Sequence, residues 1–129
     1  MTDKGLMARS VLSSMFKVSE GDIVFMKHRH KNKVKARRFY NYYLWKYKKI
    51  RHNSMKNFIH GIHHASSIYQ CRIMEKDIDL YKDIRKEFIT FLWYSDKQEF
   101  EKMKIDMVFS NEEMNDIDYK KAYIDAIIN

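Results

Sequence analysis

Apolar positions recur at helical spacing along almost the whole chain. Leu6, Ala8, Val11, Leu12, Met15 and Phe16 form one face over residues 5–16. Ser19 stands where an N-cap is expected, ahead of Asp22, Ile23, Phe25 and Met26, and predicts a short helix of about two turns. The run Ile23-Val24-Phe25-Met26 also reads as a strand, but no partner strand is evident. Residues 27–34 are polar, basic and aperiodic, which predicts a loop. A long helix is expected over 35–49, with Phe39, Tyr42, Tyr43 and Tyr47 on one side.

A shorter helix over 52–59 carries Met55, Phe58 and Ile59, and Gly61 is placed to end it because glycine adopts positive φ cheaply. Two further helices follow. The first spans 64–76, with Ile68, Cys71 and Met74 or Glu75 at helical spacing; the second spans 78–94, with a stripe of Ile78, Tyr81, Ile84, Phe88, Phe91 and Leu92. Ser110 to Glu113 has the spacing of a capping box. It precedes a last helix bearing Met114, Ile117, Ala122, Ile124 and Ile128. The class predicted is all-α, in two parts: a helical domain over 1–94 and an acidic helical extension over 95–129.

Composition narrows this picture. The chain has 129 residues, 45% apolar and 15% aromatic, which is enough for a packed core. It has no proline and three glycines, so a β-sandwich or barrel lacks its turn residues. No phosphate-cradling loop can be drawn on Gly5, Gly21 and Gly61. The single Cys71 cannot make an internal disulfide, which fits a reducing compartment. Neither a signal peptide nor a membrane span is read, so a cytoplasmic location is expected, with no membrane partner.

Charge is unevenly placed. The formal net charge is +8. Between Lys27 and Lys56 there are twelve Lys or Arg and no acid, whereas residues 95–129 hold nine acids and five bases. Such a block points to a polyanionic partner, most often nucleic acid. Tyr40, Tyr42, Tyr43 and Trp45 interleave with the cations and could stack single-stranded bases; their helical spacing favours core positions instead. His60, His63, His64 and Cys71 fit no common zinc spacing, and Cys71 with a histidine lacks a third orienting group. No metal, cofactor or catalytic residue is therefore expected, and the chain is read as a non-enzyme.

A short helix, a turn at Gly61 and a second helix opening with His63-His64-Ala65-Ser66-Ser67 is the layout of a helix-turn-helix. In the same order along the chain stand Phe16-Lys-Val-Ser-Glu-Gly-Asp-Ile23, a basic loop from Lys27 to Lys35, Ala36-Arg37-Arg38, and His60-Gly-Ile-His-His-Ala-Ser-Ser-Ile-Tyr-Gln-Cys-Arg-Ile-Met-Glu75. Residues 11–92, about 80 of the 129, resemble the C-terminal DNA-binding domain of the bacterial replication initiator DnaA. The resemblance implies a Trp-repressor-like helix-turn-helix bundle.

It also implies that Lys27, Arg29, Lys31, Lys33, Lys35, Arg37 and Arg38 contact the backbone and minor groove. His63, His64, Ala65, Ser66 and Ser67 would then open the helix that reads the major groove. Gly61, His64, Cys71, Arg72 and Glu75 match the family signature, but its Arg-Asp is Ile62-His63 here and its two threonines are Ala65 and Ser66. The family's own target sequence is therefore not implied.

The function expected is a sequence-preferring double-stranded DNA-binding protein of phage or mobile-element origin, acting at a replication origin or in transcriptional control in a bacterial cell. The competing expectation is a helical interaction module whose basic face binds an acidic protein. The extension over 95–129 is expected to extend the core or to make a homodimer contact.

Overall fold

The computed structural model describes residues 5–26 and 30–102. Five α-helices and one 3-10 helix follow in order: α1 (Leu6–Phe16), α2 (Glu20–Val24), α3 (Lys31–Lys46), the 3-10 helix (His52–Asn57), α4 (His64–Leu80) and α5 (Lys82–Ser95). Among the described residues the only β pairing is an isolated parallel bridge between Phe25 and His60. The expected all-α class holds. The expected last helix, its capping box at Ser110–Glu113, and Lys27 and Arg29 all lie outside the described residues.

The centre of the bundle is α3, which packs against α1, α2, the 3-10 helix and α4. Its buried positions, Ala36, Phe39, Tyr40, Tyr42, Tyr43 and Leu44, run most of the way round the helix. An amphipathic surface helix buries one stripe; a helix apolar on several faces belongs inside. Phe39 lies edge-on to Phe16, with ring centroids 5.1 Å apart, and edge-on to Phe88 at 5.7 Å. Two of the buried tyrosines have hydroxyl partners: Arg9 Nη1 donates to Tyr40 at 2.9 Å, and Tyr43 donates to Asp96 Oδ2 at 2.8 Å. Buried tyrosine hydroxyls usually find such partners. Of the aromatics interleaved with the cations, Tyr40, Tyr42 and Tyr43 are thus core, and Trp45 is half-buried against it. Gly5 begins α1 directly against the Tyr40 ring, where a Cβ would collide with the hydroxyl.

Three boundaries differ from expectation, each for a local reason. The long helix starts at Lys31, not 35, although its first turn has no acid and its N-cap, His30, makes no side-chain cap bond. Cations there oppose the helix dipole, so tertiary contacts hold the turn. Lys33 Nζ lies 3.4 Å from Asp22 Oδ1, and Lys35 Nζ lies 2.7 Å from Glu87 Oε1. The same helix ends at Lys46, not 49, because Lys49 turns left-handed at φ 59 and Ile50 N–H reaches back to Leu44 O at 3.0 Å.

Finally, α4 runs on to Leu80, so that Ile78 belongs to it. Tyr81 is at once the C-cap of α4 and the N-cap of α5. Arg85, only 7% exposed, secures that corner: its Nε donates to Ile78 O and its Nη2 to Asp79 O, both at 2.9 Å. These are carbonyls a helix end leaves unsatisfied. Of the expected α5 stripe, Phe88, Phe91 and Leu92 are buried, while Tyr81 is exposed.

The packed body continues past residue 94. Residues 97–102 are helical, Asp96 Oδ1 accepts from Glu99 N–H at 3.3 Å, and Phe100 is buried edge-on to Trp93. The expected domain boundary after 94 is therefore not where the packing ends.

Candidate nucleic-acid interface

The turn before α4 is built from backbone constraints. Met55 and Ile59 are buried and anchor the 3-10 helix and its exit. His60 then pairs in parallel with the chain beyond α2: its N–H donates to Val24 O at 2.6 Å, and its carbonyl accepts from Met26 N–H at 3.3 Å. The strand reading of 23–26 thus has a partner after all, but one bridge long. Gly61 takes φ +85, and Ile62 returns to the core. His63 is the N-cap of α4, its Nδ1 accepting from Ala65 N–H at 3.3 Å. Its ring lies 4.5 Å from that of His64.

This geometry sorts the ten expected site residues that are described, Lys27 and Arg29 lying outside. His63, His64 and Ala65 are exposed at the start of α4, and Ser66 is half-buried beside them. Ser67, expected to face bases, is fully buried at 0% exposure. Its Oγ lies 3.0 Å from Asn41 Oδ1, to which it donates, and 2.7 Å from His52 Nδ1. It faces the core because it sits on the inner side of α4 with Cys71 and Met74. Ser67 is therefore a packing residue that ties α4 to α3 and the 3-10 helix, and it cannot reach a base.

Arg37 is likewise corrected. At 7% exposure, its Nη2 donates to Asp22 O at 2.7 Å and to Phe25 O at 2.9 Å, so it holds the end of α2. Burial pulls its pKa down, while the Asp22 charge opposes that shift. Lys33 and Lys35 are engaged with Asp22 and Glu87, as described above. Lys31 is exposed. Arg38 is half-buried, and its Nε donates to Gln70 Oε1 on α4 at 2.6 Å. Its two terminal nitrogens make no hydrogen bond or ion pair among the described residues.

No acidic residue occurs from Ile23 to Met74, a stretch that includes all of α3, the turn and the first half of α4. The acids that neutralise its cations come from outside it: Asp22, Glu75, Glu87 and Asp96. Arg51 and Lys56, at the two ends of the 3-10 helix, and Arg72, on α4, are exposed cations with no ion-pair partner among the described residues. His52, stacked on Trp45 at 5.2 Å, has its pKa lowered by burial and then by the charges of Arg72 and His64.

Chemistry of a nucleophilic kind is poorly supported by the same cluster. Ser67 and His52 are in contact, but the hydroxyl is sealed from solvent. Burial pushes the Cys71 thiol up to about 12, which keeps it protonated, a poor nucleophile and a poor metal ligand. Among the described residues no group of three or more His, Cys, Asp or Glu is arranged to hold a metal ion, and no helix is long and apolar enough to cross a membrane.

Asn41 and Gln70 were not legible as site residues. Each is an uncharged amide in a helix with other polar residues, and only the packing of α3 on α4 brings them beside Arg38 and Ser66. No family model, curated protein or solved structure matches this chain.

Proposed function

We propose that the chain is a non-enzymatic double-stranded DNA-binding module that presents the first turn of α4 to the major groove. The observation that carries this reading is an acid-free turn, His63 to Ala65 exposed with Ser66 half-buried beside them, mounted on a stretch with no acid from Ile23 to Met74. A helix start with its free N–H groups, surrounded by cations, suits a phosphate backbone; small side chains at the turn allow close approach to base edges. The order of segments that resembles the DnaA C-terminal domain supports the same reading. It extends the proposal to a role at a replication origin or in transcriptional control, in a phage or mobile-element setting. His63 and Ala65 replace the family's Asp and Thr, so the target sequence is this chain's own.

Arg38, Lys31, Arg51, Lys56 and Arg72 supply the backbone contacts in this reading, and His64 and Ser66 read bases. Fluorescence anisotropy with a random duplex over a salt series tests it. Affinity should fall steeply with salt, with a log–log slope of about −0.9 per phosphate contacted. Arg38→Gln should reduce that slope by roughly one contact on every sequence. His64→Ala should instead relax preference at one position of a selected site by about 1–3 kcal/mol. Absence of duplex binding at low salt would sink the proposal and leave an acidic protein as the partner of the basic face.

A further inference from the structure

A cleft of about 350 Å³ lies between α3, the start of α4 and the residue after the bridge at Phe25. It is lined by Met26, Val34, Arg37, Arg38, Asn41, Ile62, Ser66 and Gln70. That volume is within the range of small-molecule sites. No acid lines it.

Four residues of its wall, Arg38, Asn41, Ser66 and Gln70, carry donors without a partner among the described residues. Asn41 is 1% exposed, and its Nδ2 is a buried nitrogen with no hydrogen-bond partner. The orientation of this amide is fixed from the other side. In this arrangement its Oδ1 accepts from Ser67 Oγ at 3.0 Å and from the Cys71 thiol at 3.8 Å, and the NH₂ group points away from them. The Gln70 amide is fixed in the same way, because its Oε1 accepts from Arg38 Nε at 2.6 Å. That leaves Gln70 Nε2, the terminal nitrogens of Arg38 and the Ser66 hydroxyl without partners among the described residues. Buried polar groups are nearly always satisfied, and an orphaned donor calls for an explanation.

We infer that this cleft is a binding site for a small organic anion, a carboxylate or phosphate ester with an apolar body. The acidic group would accept from Asn41, Ser66, Gln70 and Arg38, and its apolar part would lie on Met26, Val34 and Ile62. The apolar wall favours a free small molecule over a phosphate of the nucleic-acid backbone, which has no apolar part to place there. Ser66 and Gln70 belong to α4, so an occupant would touch the helix proposed to read DNA. The inference rests on the cleft alone and stands or falls without duplex binding.

The test is a titration of the whole protein, without DNA, by ¹H–¹⁵N spectroscopy, with benzoate, acetate and benzyl alcohol as probes. Benzoate should give saturable shifts at the Asn41 side-chain NH₂ and at the Ser66 and Gln70 amides. Acetate, lacking the apolar body, should bind more weakly, and benzyl alcohol, lacking the charge, should give no shifts there. Arg38→Gln and Ser66→Ala change residues outside the core; each should weaken benzoate on the order of tenfold, the value of one charge-assisted hydrogen bond. Asn41→Asp keeps the acceptor for Ser67 but replaces the donor by a charge, and should abolish binding. The inference is overturned if benzyl alcohol matches benzoate, if the variants bind as tightly as the parent, or if benzoate moves none of these signals.

Discussion

Replacing Tyr43 with Phe removes one hydroxyl from the junction of α3 with the end of α5. In the folded chain Tyr43 is buried, and its hydroxyl donates to Asp96 Oδ2 at 2.8 Å. The same carboxylate oxygen lies 2.6 Å from Lys48 Nζ, and the Asp96 side chain is 11% exposed. Burial alone would raise the Asp96 pKa, but the hydrogen bonds from Lys48 and Tyr43 outweigh it and leave the value below the ordinary one. The Tyr43 pKa is driven upward, first by burial and then by Asp96, so the hydroxyl remains a donor across the working pH range.

A hydrogen bond to a charged group contributes about 1.5–3 kcal/mol. Because Lys48 stays in place to pair the carboxylate, the lower part of that range is expected, roughly 1.5–2 kcal/mol, or a fall in Tm of about 4–10 °C for a domain of this size. Asp96 has a folded pKa below its unfolded value. Its contribution is therefore present above the unfolded pKa, near 4, and is lost as pH falls through the folded pKa. Below that point Tyr43 donates to a neutral carboxyl, worth nearer 1 kcal/mol.

Urea denaturation of the parent, Tyr43→Phe, Asp96→Asn and the double variant, at pH 7 and at the lowest pH where the parent stays folded, measures both the magnitude and the coupling. The deficit of Tyr43→Phe should be largest at pH 7 and shrink in acid. An equal deficit at both pH values, or additive single effects, refutes the reasoning.

Other outcomes follow from contacts already described. Ser67→Ala leaves Asn41 and His52 without their shared partner and should cost about 1–3 kcal/mol in urea denaturation, while the ratio of specific to random duplex affinity stays unchanged. Gly61→Ala meets nothing within 4 Å, so its cost is that of φ +85 alone, about 1–2 kcal/mol by thermal unfolding. Arg85→Met removes the side chain that satisfies Ile78 and Asp79 carbonyls at the α4–α5 corner. It should destabilise by about 2–4 kcal/mol and raise amide exchange through residues 78–85 before the rest of the bundle.

Periodicity and capping chemistry were read correctly where the determinants are local. Ser19 is the N-cap expected, and its reciprocal bond with Asp22 makes it a capping box beyond that expectation; Gly61 does take positive φ, and α1 begins and ends within a residue of its apolar face. The start of α3 was hidden because nothing between His30 and Lys35 favours a helix by itself. The turn is held by Asp22 and Glu87, the latter 52 residues beyond Lys35. The two misplaced site residues failed for a related reason. Arg37 and Ser67 look like contact residues in a basic, polar string, but each faces inward to satisfy backbone or amide groups that the sequence does not mark. Asn41 was missed because a single polar residue inside a helix is equally compatible with either face until α4 is packed against it.

The distribution of acids has a further consequence for how the chain is made. Ribosomal synthesis delivers α3 and its cations long before Glu75, Glu87 and Asp96, which pair with Lys46, Lys35 and Lys48. Within the sequence given, residues 1–74 carry every cation of the central stretch and three acids, Asp3, Glu20 and Asp22. Until the second half of α4 and α5 emerge, that fragment is a polycation with an exposed aromatic core. Adhesion to polyanions is therefore expected to be strongest at that stage and to weaken once Glu75, Glu87 and Asp96 are in place to pair the cations.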